Sequence, residues 1–269
     1  MNRTPISEIK AKAKDNLLGN YKIAIGSFAL LFVIIYGLMA VLMGAVSAGI
    51  SPGELASGTA SVSTEIESFA ISAVSGLFAA LLSAGYTKIM MDISYGHKPK
   101  LGELFYCFKN HPDKAIIMFA ILFAIQEILL IPSYFVDWSW ENLLTGEDGA
   151  RFLLWLVLVL TGYGISIFVN VVLGFCYLVY IEDPNLSVKE ILICAKRLMD
   201  GNKLRYVYLF LSFIGYYVLA IFSLGISMLF TAPYQSMATV ELYKDALNYA
   251  DCRNRIIPDT PDEKETESM

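Results

Sequence analysis

Glu127 is the residue whose position most suggests chemistry, because it lies in an otherwise uncharged apolar stretch, 115–136. A carboxylate at bilayer depth costs free energy, and such residues commonly serve proton, ion or substrate paths. Gln126 precedes it and adds a second hydrogen-bonding group. The sequence leaves two other interpretations open: the carboxyl group is protonated, or it extends beside Pro132 toward the outer membrane surface.

Two more polar residues, Asn170 and Gln235, lie within long apolar stretches, in stripes of small and polar residues at four-residue steps. Small residues let helices approach closely, and polar ones form hydrogen bonds across the contact. Helix-packing positions in these stripes are Gly76, Ala80, Gly162 and Gly174. The stripes are typical of packed helices, and a polar cavity around Asn170 and Gln235 is the alternative.

The residue inventory argues against an enzyme. The two histidines, His97 and His111, flank Cys107 at a spacing typical of no zinc site. The sequence contains no glycine-rich phosphate loop, nucleophile elbow or HExxH helix. We therefore expect no catalytic residue, no cofactor and no metal. The net charge of −5 comes largely from the C-terminal residues 259–269, and we expect no nucleic acid partner.

The elements that carry these residues are expected to be membrane-spanning helices. The chain of 269 residues is 56% hydrophobic and 17% charged, and a span needs roughly 20 apolar residues. Five runs meet this length: 23–50, 69–87, 115–136, 152–181 and 206–240. The last run is long enough for two short spans around a turn at Ser223-Leu224-Gly225. We predict an all-α, polytopic bundle of six spans; five spans, the fifth long and tilted, is the alternative.

The distribution of Lys and Arg predicts the orientation of the bundle. The segments 1–22, 88–114 and 189–205 carry five basic residues each, whereas the two intervening loops carry only Arg151. Basic loops stay on the cytoplasmic side. With six spans, we expect both the N-terminus and the C-terminus on the cytoplasmic side of a multi-pass membrane protein.

The three basic segments resemble one another and predict an internal repeat. Glu8 and Glu190 each begin the same pattern, Glu-Ile followed by Ala-Lys and then Gly-Asn at identical spacing, and Glu103 begins a weaker copy. We interpret each unit as an amphipathic inner helix followed by a two-span hairpin. The membrane domain, 1–252, then has units at about 4–97, 98–185 and 186–252, followed by an acidic tail, 253–269, that is expected to be disordered.

The inner helices carry apolar residues at three- and four-residue steps and basic residues on other faces. Such helices lie in the membrane interface, where basic side chains meet anionic head groups. The candidate head-group contacts are Lys10, Lys14, Lys196 and Arg197. The alternative is that these helices are packing elements that cover the inner ends of the bundle.

Several short motifs together resemble one known family. They are Leu18-Gly-Asn-Tyr21, Asp183-Pro184, Ser187 with Glu190, Leu198-Met199-x-Gly-Asn-Lys203, Leu211-Ser-Phe-Ile-Gly215, Pro233-Tyr234 and Glu241-Leu-Tyr243. The chain resembles the bacterial integral membrane family designated domain of unknown function 975. The resemblance implies an all-helical plasma-membrane protein and supplies no substrate, catalytic residue or mechanism.

Two functions are consistent with these features. The leading hypothesis is a non-enzymatic module that binds membrane lipids or a partner membrane protein. The alternative is a transporter or channel for a small solute or lipid, with a polar path near Glu127, Asn170 and Gln235. The sequence does not determine the oligomeric state.

Overall fold

The computed structural model describes residues 3–49, 62–136, 146 and 148–249, and all regular structure in these ranges is helical. The predicted all-α class is confirmed, while the predicted tail, 253–269, lies outside the described residues. The helices are α1 (Ile6–Leu17), α2 (Tyr21–Gly49), α3 (Val62–Ser94), a 3-10 helix (Leu101–Phe105), α4 (Tyr106–Lys109), α5 (Pro112–Tyr134), α6 (Gly149–Val172), α7 (Cys176–Glu182), α8 (Val188–Met199), α9 (Lys203–Leu211), α10 (Ile214–Phe222) and α11 (Met228–Tyr249).

Five helical stretches of the described chain are long and apolar enough to cross a membrane, which suggests a multi-pass membrane protein. They are Tyr21–Gly44, Phe69–Ser94, Pro112–Tyr134, Gly149–Glu182 and Lys203–Phe222. The fourth consists of α6 with α7, and the fifth of α9 with α10. By length and composition the count is therefore five, and the six predicted spans are not confirmed.

The predicted turn at Ser223-Leu224-Gly225 does separate two helices. α10 ends at Phe222 and α11 begins at Met228, with Leu224 (φ 50°) and Gly225 (φ 88°) in the left-handed region between them. The run 206–240 is therefore not one continuous helix, and the choice between five and six crossings stays a prediction.

α11 is less apolar than the five candidate spans, and other helices enclose it. It packs against α1, α2 and α3, and it also contacts α8, α9 and α10. Its buried side chains include Met237, Ala238, Leu242, Tyr243 and Ala246. A helix surrounded by protein exposes few side chains to lipid, so it tolerates the charged residues in its second half.

The short helices lie at one end of the bundle, which we call the basic end, and they turn their apolar residues into the protein. α1 buries Ile9, Ala13 and Leu17 against α11, and α8 buries Ile191, Ala195 and Leu198, largely against α7. The 3-10 helix and α4 pack on α3. Each of these helices therefore packs on the helix that ends the preceding predicted unit, namely α8 on α7, the 3-10 helix and α4 on α3, and α1 on α11.

α1 and α8 end with the same backbone geometry. Leu18 and Asp200 are extended, and the next residues, Gly19 (φ 85°) and Gly201 (φ 81°), are left-handed. Glycine adopts this conformation without the steric cost that a Cβ atom adds. A capping box begins α8, in which Ser187 and Glu190 bond each other's backbone N–H groups.

The hydrophobic core is concentrated at the basic end. Its members come mainly from the short helices and from the segments 81–93, 175–181 and 237–246 of α3, α7 and α11. In the most apolar part of each candidate span, 39% of the α3 residues are buried, against 11–17% in the other four. The ends of α3, α7 and α11 at the basic end therefore contribute most of the core, and of their acidic residues Asp92 and Glu241 are buried whereas Glu182 is exposed.

Candidate functional site

The structure does not bring the predicted intramembrane polar residues together. Glu127 and Gln126 are half-buried on α5, whereas Asn170 is exposed on α6 and donates its amide N–H to Ser166 O at 2.8 Å. Gln235 is buried on α11, where its Oε1 accepts a hydrogen bond from the Tyr217 hydroxyl. In the described chain α5 and α11 have no extensive contact with each other. The predicted polar path is therefore not assembled from these residues.

The predicted packing glycines lie at close helix contacts. A Cβ atom on Gly76 would lie 2.9 Å from Phe119 Cζ, and one on Gly162 would lie 3.0 Å from Leu129 O. One on Gly174 would lie 2.8 Å from Tyr206 Cζ. Ala80 is half-buried on α3. These positions allow α3 and α6 to approach α5, and the α6–α7 junction to approach α9.

A polar network that the sequence analysis did not single out lies at the basic end, where Glu241 of α11 is its most connected member. Glu241 is 8% exposed, and its Oε1 accepts hydrogen bonds from Asn16 Nδ2 at 2.8 Å and from the Ser94 hydroxyl. Lys244 Nζ lies 3.5 Å from the same oxygen and donates to Ser94 O at 2.9 Å. Glu241 therefore joins α1, α3 and α11.

Tyr95 extends this network to α7. Its hydroxyl lies 3.0 and 3.2 Å from the two carboxylate oxygens of Glu182, and its ring faces Lys244 Nζ at 4.8 Å. Burial and the charge of Glu182 raise the pKa of the Tyr95 hydroxyl, so it stays protonated and donates. The ends of α3, α7 and α11 are thus joined by hydrogen bonds.

A second acidic group connects α3 with the 3-10 helix. Asp92 is buried and forms an ion pair with Lys88, and the Glu103 carboxyl group lies beside it. Glu103 Oε2 is buried without a donor in the described chain. Burial, and then the hydrogen bond and charge of Asp92, raise the pKa of Glu103.

The N-terminal segment is fastened to the third predicted unit by a separate set of bonds. Arg205 pairs with Asp245 at 2.7 Å and donates to Thr4 O at 2.6 Å. The Thr4 hydroxyl donates to Asp245 Oδ1 at 2.5 Å, and Arg3 donates to Gly201 O. The basic end is therefore a closed structure in which the first and last described helices are joined.

The four predicted head-group residues occupy two different environments. Lys14, Lys196 and Arg197 are exposed, as a contact with lipid requires. Lys10 departs from its predicted role, because its ammonium group bonds Ser212 and lies 4.5 Å from the centroid of the Phe213 ring. Partial burial lowers the pKa of Lys10.

The basic end holds buried charged groups in fixed positions, and it offers no metal site within the described ranges. Sequence reasoning missed its acidic residues although a signal was present. Asp92, Glu182 and Glu241 each lie close to the C-terminal end of an even-numbered predicted span. One acidic residue at the same place in each hairpin is the pattern that would have identified them.

The comparisons with known proteins identify the family of this chain. No curated protein and no solved structure is significantly similar to the chain. A family model described as protein of unknown function (DUF975) matches residues 1–249, which cover every described helix. The chain therefore belongs to the DUF975 family, as the motifs around Asp183 and Glu241 indicate.

Proposed function

We propose that this protein is a non-enzymatic module of the plasma membrane that binds anionic lipid head groups at its basic end. The observation that carries the proposal is the orientation of α8. This helix buries Ile191, Ala195 and Leu198 inside the protein and exposes Lys189, Lys196 and Arg197. The apolar face is occupied by packing, so the charged face is the one available to a ligand.

Two exposed leucines support a position of the basic end beside the lipid head groups. Leu18 is 60% exposed three residues before Tyr21 begins the first candidate span, and Leu204 is 85% exposed at the start of the fifth. Apolar side chains at these places insert into the bilayer, and neighbouring basic side chains then reach the phosphate groups. Lys14 and Lys22 flank Leu18 in this way.

The proposal includes six crossings with both termini on the cytoplasmic side. The chain turns after Phe222 and α11 runs back along α10, so that Lys244 and Asp245 lie at the basic end beside α1 and α9. The cyclic packing of the short helices supports three related units. The excess of Lys and Arg in the three basic segments supports a cytoplasmic basic end.

The test compares lipid retention by two variants of the same sites. The protein is reconstituted in nanodiscs of phosphatidylcholine and phosphatidylglycerol, extracted gently, and the retained lipids are measured by mass spectrometry. Each basic residue near an anionic surface contributes about 1 kcal/mol, or about fivefold in binding. The triple variant Lys14→Gln/Lys196→Gln/Arg197→Gln should lose the enrichment of phosphatidylglycerol, and added salt should weaken it in the wild type.

The control is Lys14→Arg/Lys196→Arg/Arg197→Lys, which keeps the charge and should keep the enrichment. Equal phosphatidylglycerol retention in the neutral and charge-conserving variants would overturn the proposal. Extraction from the native membrane adds a second readout. If a protein is retained in stoichiometric amount and no lipid is enriched, the ligand is a partner membrane protein and not a lipid.

A further inference from the structure

The fifth candidate span is interrupted near its middle, and Lys10 lies at the interruption. α9 ends at Leu211 and α10 begins at Ile214. The Tyr216 N–H bonds Phe213 O at 2.9 Å, one residue closer in sequence than the Ser212 carbonyl that a regular α-helix would use. Ser212 O instead accepts a hydrogen bond from Lys10 Nζ at 3.3 Å, and Ser212 Oγ lies 3.2 Å from the same nitrogen.

Aromatic rings from two helices surround the Lys10 ammonium group. Its nitrogen lies 4.5 Å from the ring centroid of Phe213, 5.6 Å from that of Tyr216 and 5.9 Å from that of Tyr234. In the described chain no carboxylate lies within 4.0 Å of the nitrogen. The ammonium group is therefore held by aromatic faces and two oxygen acceptors rather than by an ion pair.

The carbonyl ends of interrupted membrane helices are places where cations bind, because their C=O groups lack helical partners. We propose that the interruption between α9 and α10 is an ammonium-binding site, which the protein fills with its own Lys10 and so fastens α1 to the fifth span. The ligand class is a primary ammonium ion, since Ser212 O and Oγ both accept hydrogen bonds from one ammonium nitrogen.

Tyr234 also contacts the backbone of α1, because its hydroxyl donates to Lys10 O at 3.3 Å. Phe213 is fully buried and Tyr234 half-buried, so water competes weakly for the ammonium group. This inference goes beyond the proposed lipid contacts, which concern the exposed cations.

Chemical rescue tests the proposal. Lys10→Ala removes the atoms of n-propylammonium, so this ion is the matched replacement. In nanodiscs, Lys10→Ala should lower Tm by about 3–6 °C, and it should speed hydrogen exchange of the α1 amides. Millimolar n-propylammonium should restore at least half of both effects. Tetramethylammonium and sodium at equal ionic strength should not, because they offer no N–H donor.

The control is Lys12→Ala on the same helix, where Lys12 pairs only with exposed Glu8 at 3.1 Å. This variant should keep its Tm within about 1 °C and show no response to n-propylammonium. Equal responses of the two variants to the ion, or no response of Lys10→Ala, would overturn the proposal.

If Lys10→Ala does not assemble, Lys10→Met keeps most of the side chain without the charge. Tyr216 is 41% exposed, so Tyr216→Leu removes little packing. Tyr216→Leu should lower Tm in the protein that retains Lys10 and should leave Tm unchanged in the Lys10→Met protein. Additive effects of the two substitutions would contradict an ammonium–aromatic contact.

Discussion

Replacing Gly85 with alanine should displace the 3-10 helix from α3. A Cβ atom at Gly85 would lie 2.5 Å from Leu104 C and 3.0 Å from Glu103 O, and closer still to Leu104 O. All three atoms belong to the backbone of the 3-10 helix, so no side-chain rotation relieves the overlap. Since ordinary contact begins near 3.4 Å, the Leu104 backbone must retreat by about 1 Å.

The magnitude follows from what that displacement uncovers. Leu104 of the 3-10 helix and Cys107 of α4 are fully buried, and both lose contacts when the 3-10 helix moves. Overpacking a well-packed site costs about 1–3 kcal/mol, and the overlap with backbone places Gly85→Ala near the upper end. The better helix propensity of alanine returns about 0.5–1 kcal/mol. We expect a net loss of about 2 kcal/mol, which lowers Tm by about 4–8 °C.

The assay combines Tm in nanodiscs with the reactivity of Cys107 toward a maleimide, located by peptide mass spectrometry. Burial raises the pKa of the Cys107 thiol to about 11, so the wild type should react slowly at neutral pH. The control is Gly102→Ala in the same 3-10 helix, where an added Cβ meets nothing within 4 Å. Equal Tm values and equal Cys107 labelling in the two variants would refute the close approach at Gly85.

Two further outcomes test other contacts. The Glu103 carboxyl lies near Asp92, Lys88 and His97, and its pKa is raised in the folded protein. Ionising it therefore costs stability as the pH rises from the ordinary glutamate pKa through the raised pKa. The Tm of Glu103→Gln should therefore exceed that of the wild type at pH 7 and approach it below pH of about 4.5; parallel curves between these values would show that Glu103 is not perturbed. Gly162→Ala should lower Tm by about 2–6 °C through its contact with Leu129 O, whereas Gly164→Ala, with open space around it, should not; indistinguishable Tm values would remove Gly162 from the α5–α6 contact.

Features that depend on residues close together in the chain could be predicted from the sequence. Apolar runs of span length predicted the five long helical stretches because the bilayer imposes that length. Gly19 and Gly201, the capping box at Ser187, and the turn before Gly225 were recognisable because helix ends are determined within a few residues. The number of crossings was less certain, because α11 carries charges that only its enclosure by other helices accommodates.

The tertiary structure alone decided which helix each face packs against. Lys10 and Lys14 lie one helical turn apart on α1 and were both candidate head-group contacts, yet Lys10 enters an aromatic site and Lys14 is exposed, because the junction between α9 and α10 lies beside Lys10. The approach of the 3-10 helix to Gly85, the bond of Ser94 to Glu241 and the bond of Tyr95 to Glu182 all join different helical elements. Helical periodicity determines a face but not its partner, and the partner depends on the three-dimensional arrangement of all the helices.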